Sequence, residues 1–495
     1  GRFKFFSISP SVEPFDEAKY KDLMDGHEIT ELNLSSLERT MRIDAEFYKK
    51  EHIAVDKVLS SWNKKSIADC FYVSDGNHMS ISDSFCEVGV PYYRGQDIYN
   101  LFIENASPLM IDRTTFDRSQ MRRSHLQKGD ILMSIVGAIV GNSAMVTSEN
   151  PATCSCKLSI MRSKDNGISP ELLLVYIKTR YGQVQIQKFK RGAAQTGLLL
   201  EDFDQLFIPV FGNKLQEQIG QLVNQIYKRM QEAVTTYEDA QNYLNDEIGV
   251  DVDFPQYIST EKTLSNSFKT TGRLDAEYYQ PKYDFLFEAL RKVHCNPLGG
   301  ESGLVYLKKS IEPGSEAYQE DGIPFVRVSD VSKYGITPPE IYLSHDVVEN
   351  AESLFPKKDT ILFSKDGSVG VAYKLECDED IVTSSALLHL TVRNTSEILP
   401  DYLTLVLNST AVQMQAERDS NGAVIQHWKP SEIENVIVPV LDIDKQKELS
   451  EMVQKSFALR HQSKQLLEYA KQVVEMAIEQ GEDAALAWLK ERTGE

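Results

Sequence analysis

Residues 214–248 read KLQEQIGQLVNQIYKRMQEAVTTYEDAQNYLNDEI and carry Leu215, Ile219, Leu222, Val223, Ile226, Met230, Ala233, Tyr237, Ala240 and Leu244. These recur at steps of three and four, the spacing of an apolar stripe along one α-helix. No proline breaks the stretch, and no glycine follows Gly220. About 230 residues further on, 445–479 repeat the pattern with Leu449, Met452, Val453, Phe457, Leu466, Leu467, Ala470, Val474 and Ile478. A chain that holds one long amphipathic helix twice can pack the two copies together, and a stripe wider than a heptad seam leaves surface for partner helices. At about 1.5 Å per residue each helix is roughly 50 Å long, which suits a spacer better than a catalytic element.

The same period runs through the rest of the chain. MRIDAEFYKK from Met41 is answered by GRLDAEYYQP from Gly272, VPYYRGQDI by IPFVRVSDV, and KGDILMSIVGAIVG by KDTILFSKDGSVG. Pro170 pairs with Pro400, Gln185 with Gln415, Gly192 and Ala193 with Gly422 and Ala423, Pro209 with Pro439, and Gln216 with Gln446. A long period repeated only twice is a tandem duplication of one globular domain followed by one helix, not a solenoid. Within each copy, short β-like runs (90–93, 130–135 and 207–210; 323–328, 360–363 and 436–440) mix with helical stretches at 170–190 and 400–415. The fold class is therefore α+β, with turns at 135–142 and 365–370. The divisions read as an N-terminal segment 1–41, a first domain 42–211, a central helix 212–248, a connector 249–272, a second domain 273–441, a second long helix 442–480 and a tail 481–495 with a short helix near 484–489.

Composition excludes several classes. At 495 residues, with 41% hydrophobic and 25% charged residues, the chain is an ordinary globular protein of more than one domain. No apolar run is long enough to span a bilayer and the N-terminus lacks a signal-peptide layout, so a cytoplasmic protein is expected. Six scattered cysteines with one close pair, Cys154 and Cys156, read as reduced and structural rather than as a zinc site. There is no phosphate loop, no HExxH, no GxSxG elbow and no base-methylation motif; Asn296-Pro297-Leu298-Gly299 lacks the aromatic that would stack on a flipped base. The loop FSKDGSVG resembles a glycine loop for a nucleotide, but SIVGAIVG in the other copy keeps only the serine and the glycines, as a tight turn would.

A net charge of −20 argues against nucleic acid until it is divided: residues 51–211 carry 17 basic and 17 acidic side chains, and residues 281–440 carry 14 and 24. In the first domain Arg113, Arg118, Arg122, Arg123 and Lys128 form one basic cluster, and Lys188, Lys190 and Arg191 another. Arg94 and Gln96 follow one apolar strand as Arg327 follows its counterpart, with Asp97 and Asp330 close by for an ion pair that would brace the strand end. Ser134 sits at the first glycine loop, Ser364 and Lys365 at the second. An amide follows the Gly-Ala pair in each copy, as Gln195 and as Gln426, and His427 adjoins the latter. Glutamine can make paired hydrogen bonds to adenine, and glycine lets a backbone approach a phosphate.

These residues resemble those of the specificity subunits of type I restriction-modification systems. The likeness is carried by RLDAEYYQPKYD (273–284), by GDILMSIVGAIVG and DTILFSKDGSVG, and by the endings GAAQTGLLLEDFDQLFIPV and GAVIQHWKPSEIENVIVPV. It extends from about residue 30 to the end. Two departures are RIDAEFYKK in the first copy and the acidity of the second domain. The resemblance implies a phage-defence protein without catalysis of its own. Each globular unit would be a target recognition domain reading half of a split, asymmetric DNA site, and the two helices would form an antiparallel coiled coil that sets the gap and docks two methylation subunits. Arg94, Gln96, Arg122, Arg123, Ser134, Lys188, Lys190, Arg191, Gln195, Arg327, Ser364, Lys365, Gln426 and His427 are then the expected DNA contacts, and Leu222, Ile226, Tyr237, Leu244, Val453, Leu467 and Val474 the expected subunit interface. No cofactor is expected on this chain; S-adenosylmethionine would sit on the methylation subunits, and ATP and Mg on a restriction subunit that translocates and cleaves DNA. A reader subunit of a related system such as type IIB shares these features. A coiled-coil scaffold without DNA binding remains the reading from another class, and it does not account for two domains whose frames agree while their loops differ.

Overall fold

In the computed structural model the described residues are 16–35, 37, 42–103, 108–192, 196–250, 260–348, 351–420, 422 and 426–494. They form an α+β chain that divides into two units, Gly1–Lys228 with Gln462–Glu495, and Arg229–His461. Both boundaries fall inside the long helices, Asn213–Ile248 and Ile443–Gln480, so each helix contributes one part to each unit.

In the first unit a four-stranded antiparallel sheet runs Phe71–Asp75, Leu158–Ser163, Ile131–Ser134, Ser143–Met145. Ile131–Ser134 is buried at every position, which accounts for its unbroken apolar run instead of alternation. A second sheet orders Phe85–Cys86, Leu109–Ile111, Val90–Tyr93 and Thr153–Cys154, with the last pair parallel. Lys64–Ser66 pairs with Phe207–Pro209 and brings the start of the domain to its end. The helical stretch expected over 170–190 is two helices, Pro170–Lys178 and Arg180–Phe189. Thr179 ends one and caps the next through Gly182 N, and the Cβ of any other residue at Gly182 would lie 2.3 Å from Tyr176 O.

The second unit repeats this frame. Its sheets run Val305–Lys309, Leu387–Val392, Ile361–Ser364, Ala372–Lys374, and Tyr318–Gln319, Tyr342–Leu343, Ile323–Val326, Val382–Thr383, again with a parallel last pair. Cys295–Pro297 pairs with Ile437–Pro439, and Pro400–Leu407 and Thr410–Asp419 are again two helices where one stretch is expected. A small pair, Val331–Ser332 with Gly335–Ile336, is its own addition among the described residues.

The glutamines that recur in sequence have the same task in each unit. Gln185 accepts from Phe207 N (2.8 Å) and donates to Phe207 O (2.9 Å); Gln415 does the same with Ile437 N (2.8 Å) and O (2.9 Å). A buried amide thus completes the hydrogen bonding of the closing strand, whose backbone would otherwise be left unpaired. Gln216 accepts from Ser169 N and donates to Gly167 O and Phe211 O; Gln446 accepts from Leu399 N and donates to Glu397 O and Leu441 O. These bonds stitch the first turn of each long helix to its globular domain.

In both units the long helices pair in opposite directions. In the first unit Ser463 Oγ donates to Ile226 O (3.3 Å); in the second Ser456 Oγ donates to Ala233 O (2.6 Å), Lys455 pairs with Glu232 and Lys445 with Glu247. Small residues spaced by sevens, Ser456, Ser463, Ala470 and Ala477 on one helix and Ala233 and Ala240 on the other, are all buried. The expected subunit-interface residues are corrected by this packing. Leu222, Ile226, Tyr237, Leu244, Val453 and Val474 are buried inside the chain, and Leu467 is half-buried. Each stripe is wide because it packs on a globular domain as well as on the other helix: Phe102 meets Tyr227 edge-on in the first unit, and Tyr334 meets Tyr237 in the second. The tail helix is Glu482–Thr493, longer than expected, and both Glu482 carboxylate oxygens lie 3.0 Å from Gly212 N.

No described helix is long and apolar enough to cross a membrane. All six cysteines are free; Cys70 and Cys154 are buried, whereas Cys86 and Cys377 are exposed, so a structural role does not fit those two.

Candidate nucleic-acid interface

Each globular domain presents a hairpin loop laid against the segment that leads into the closing strand. In the first, Gly137 N donates to Thr196 O (2.8 Å) and Val136 bridges Gly197. In the second, Gly367 N donates to Gln426 O (2.9 Å), Trp428 N donates to Lys365 O (2.8 Å), and Asp366 bridges His427. The backbone contacts correspond, and the side chains differ. Where the first domain has Val136, Thr196 and Gly197, the second has Asp366, Gln426 and His427. Asp366 is held between Lys365 and His427, whose Nδ1 lies 2.8 Å from Asp366 Oδ1 while its ring stays 63% exposed.

The turn after each strand adjoins this loop or its sheet. Arg94 N donates to Asp97 (2.8 Å) and its Nε reaches the same carboxylate at 3.2 Å; Arg327 repeats both contacts with Asp330 at 2.8 and 3.4 Å. The brace expected for the strand end is present, and both guanidinium groups remain partly exposed. A Cβ added at Gly95 would lie 3.4 Å from Ser134 Oγ and from Ile139 Cδ1, which places Arg94 and the exposed Gln96 beside the first hairpin loop. In the second unit Val328, Val371 and Tyr373 pack against one core cluster that includes Val326 and Leu362.

Burial corrects some of the expected contacts, and pairing engages others. Ser134 and Ser364 are fully buried; Ser364 Oγ donates to Ser368 O and accepts from Val371 N (2.8 Å), so these serines shape the loop from inside and cannot meet DNA. Lys188 is only 11% exposed, paired with Asp56 and set 4.4 Å from the centre of the Phe47 ring. It braces the helix Arg180–Phe189 against Lys50–Ser60. Arg191 pairs with the buried Asp202, and Arg123 pairs with Asp75, which also accepts His78 at 2.6 Å. Lys365 is likewise largely covered by its pairing with Asp366. Arg122 stays exposed and Lys190 half-buried, neither enters an ion pair among the described residues, and Gln426 is exposed. Gln195 lies outside the described residues.

Sequence reasoning passed over a repeated surface pair. Tyr72 and Tyr306 occupy the second position of the edge strands Phe71–Asp75 and Val305–Lys309, both are exposed, and each ring has a cation above it, Lys164 at 5.0 Å and Arg393 at 4.5 Å. A single exposed aromatic in a strand carries little signal; the match becomes visible only when the two sheets are compared. Among the described residues no three or more His, Cys, Asp or Glu side chains gather as a metal site.

Solved specificity subunits resemble this chain. The S subunit of a type I restriction-modification system from M. genitalium matches with a TM-score of 0.37 and 15% identity, over 84% of this chain and 95% of that one. The HsdS subunit from Thermoanaerobacter tengcongensis matches with a TM-score of 0.29 and 14% identity, over 85% and 97%. The type IIG restriction endonuclease BpuSI matches over 38% of this chain and 29% of its own, with a TM-score of 0.29 and 10% identity. No family model and no curated protein matches the chain.

Proposed function

We propose that the chain is the DNA-recognition subunit of a type I restriction-modification complex, without catalysis of its own. Each globular domain reads one half of a split site, and the partners, two methylation subunits and a restriction subunit, supply the chemistry with S-adenosylmethionine, ATP and Mg. The observation that carries this reading is the loop pair: one backbone frame built twice, with Val136, Thr196 and Gly197 in one copy and Asp366, Gln426 and His427 in the other. A frame kept while its presented side chains change is what two half-sites of different sequence require, because base edges are read by side-chain donors and acceptors. Exposed Arg122 and half-buried Lys190 would add sequence-independent attraction to phosphates.

The test selects DNA from a random pool with the chain assembled on its methylation subunits. The expected motif is split into two short blocks, and replacing Asp366 and His427 together by alanine changes one block and leaves the other. A single continuous motif, a change in both blocks, or no selection at all sinks the proposal.

A further inference from the structure

In each globular domain one short segment fastens three loops together. In the first domain residues 155–157 do so. Ile135 N of the hairpin loop donates to Lys157 O (3.0 Å), and Ser155 N donates to Tyr93 O (2.9 Å) at the Arg94 turn. Cys156 N donates to Asn77 O (3.1 Å), in the turn that follows the edge strand Phe71–Asp75. In the second domain residues 384–386 repeat the plan: Lys365 N donates to Ala386 O (2.9 Å) and Ser384 N to Val326 O (2.9 Å). Ile311 bridges Ser384 as Asn77 bridges Ser155. Two of the three loops are the hairpin loop and the Arg94 or Arg327 turn already described. The third, the turn after the edge strand, is held to them by the same backbone bonds in both copies.

What this third loop presents differs between the copies. In the first domain Asp75, with a side chain only 13% exposed, holds Arg123 on one carboxylate oxygen, and its other oxygen lies 2.6 Å from His78 Nε2. Arg123 itself stays 53% exposed. In the second domain the residue after the bridge is Glu312, which is exposed, accepts the Ser385 hydroxyl (2.7 Å) and enters no ion pair among the described residues.

An arginine braced in this way suits a base better than a phosphate. Asp75 offsets its charge, which weakens the pull of a phosphate, and fixes the direction of a planar fork that keeps N–H groups free. Guanine sets two acceptors side by side, O6 and N7, and a guanidinium meets them as a pair. Holding the side chain beforehand lowers the ordering cost of that contact. A carboxylate such as Glu312 has acceptors only, which match the amino group of cytosine or adenine.

We infer that Arg123 reads a guanine in the half-site of the first domain, with Asp75 as its positioning residue, and that Glu312 reads a base amino group in the half-site of the second. That DNA is the ligand rests on the proposed function; the base assigned to each domain comes from the third loop alone.

DNA selection with the chain assembled on its methylation subunits tests this. The block unaffected by replacing Asp366 and His427 is the one read by the first domain, and in the wild-type motif it contains a guanine. Arg123→Ala lowers the preference for that guanine at least about tenfold, as the loss of one paired contact does, and leaves the other block intact. Glu312→Ala changes one position of the other block only. Asp75→Asn blunts the guanine preference and steepens the salt dependence, because the released Arg123 then answers to phosphates. Replacing the guanine by 7-deazaguanine, which lacks the N7 acceptor, weakens binding of the unaltered chain, so the outcome does not hang on a variant that fails to fold. A first block without guanine, no response to 7-deazaguanine, or an Arg123→Ala variant that binds every sequence equally less well with a salt slope lower by about one overturns the guanine contact while the proposed function stands. A second block unchanged by Glu312→Ala overturns the role of Glu312. A wild-type complex that selects no split motif overturns the proposed function and the base assignments with it.

Discussion

Lys188 and Lys190 are two residues apart and belong to different chemistries. Lys188 turns inward to Asp56 and Phe47, while half-buried Lys190 makes an exposed contact with Gln187 at 3.5 Å and no ion pair among the described residues. Lys188→Gln is expected to cost on the order of 1–2 kcal/mol of stability, read by denaturant melts, and to leave the salt dependence of DNA binding alone. Lys190→Gln and Arg122→Gln should each lower the slope of log K against log salt by about one without moving the melt. The charges themselves were legible in sequence; their directions were not, because an acidic partner such as Asp56 or Asp202 can lie anywhere along the chain. His389 gives a second residue-scale expectation. Burial in the sheet, with Lys308 adding to it, pushes its pKa down to about 4, and Thr383 Oγ1 lies 2.8 Å from its Nε2. The unfolded imidazole titrates near 6.5, so between about 6.5 and 4 the unfolded state binds more protons than the folded one. Its contribution is complete above about pH 6.5 and fades as pH falls toward 4, by on the order of 2–3 kcal/mol. Melts of wild type and His389→Gln across that range check it, and the variant should lose less stability on acidification.

At the scale of elements, the long helices were visible because large apolar residues at steps of three and four mark a face whatever lies opposite. What the face packs on was not visible. Counting Leu, Ile and Val draws attention to the stripe edges, whereas the buried small residues spaced by sevens, Ser456, Ser463, Ala470 and Ala477, include two that are polar by any scale. Close helix approach selects for small volume, and volume is silent in a hydropathy pattern. Ala470→Leu is expected to cost about 1–3 kcal/mol through overpacking, while Ser456→Ala should cost about 1 kcal/mol through its lost bond to Ala233 O; thermal or urea denaturation separates the two. Gln185 and Gln415 make the same point about strands. Their repetition is plain in sequence, yet its cause, the hydrogen bonding of Phe207 and Ile437, depends on a contact 22 residues away. Strand starts such as Val90 and Ile323 were legible from apolar runs, and the break at Thr179 was missed because no proline marks it and apolar residues recur at helical steps on both sides.

At the scale of the molecule, one continuous helix, Asn213–Ile248, is part of both units, so its length is a covalent parameter of the whole chain. Under the proposed function that length sets the gap between half-sites. Because the helices pair through a seam with a seven-residue spacing, lengthening one alone would slide small residues against large ones. Seven residues added after Lys228 and seven after His461 keep the seam and add about 10 Å with nearly whole turns. At about 3.4 Å per base pair the selected motif should gain roughly three base pairs of gap with both blocks unchanged. A motif of unaltered spacing would show that the helices do not measure distance.

The partition of the helices also sets an order of events during synthesis. Residues of the first unit lie at both ends of its sequence: Trp62 Nε1 donates to Ile478 O (3.2 Å), Tyr181 bonds Glu479, and Gly212 N meets Glu482. A ribosome making this chain releases the whole second unit before it releases the strip that bonds Trp62, Tyr181, Gly212 and Ile226. The domain begun first is therefore finished last, and until residues 462–494 emerge it lacks the bonds that Ser463 and Glu482 make to Ile226 and Gly212.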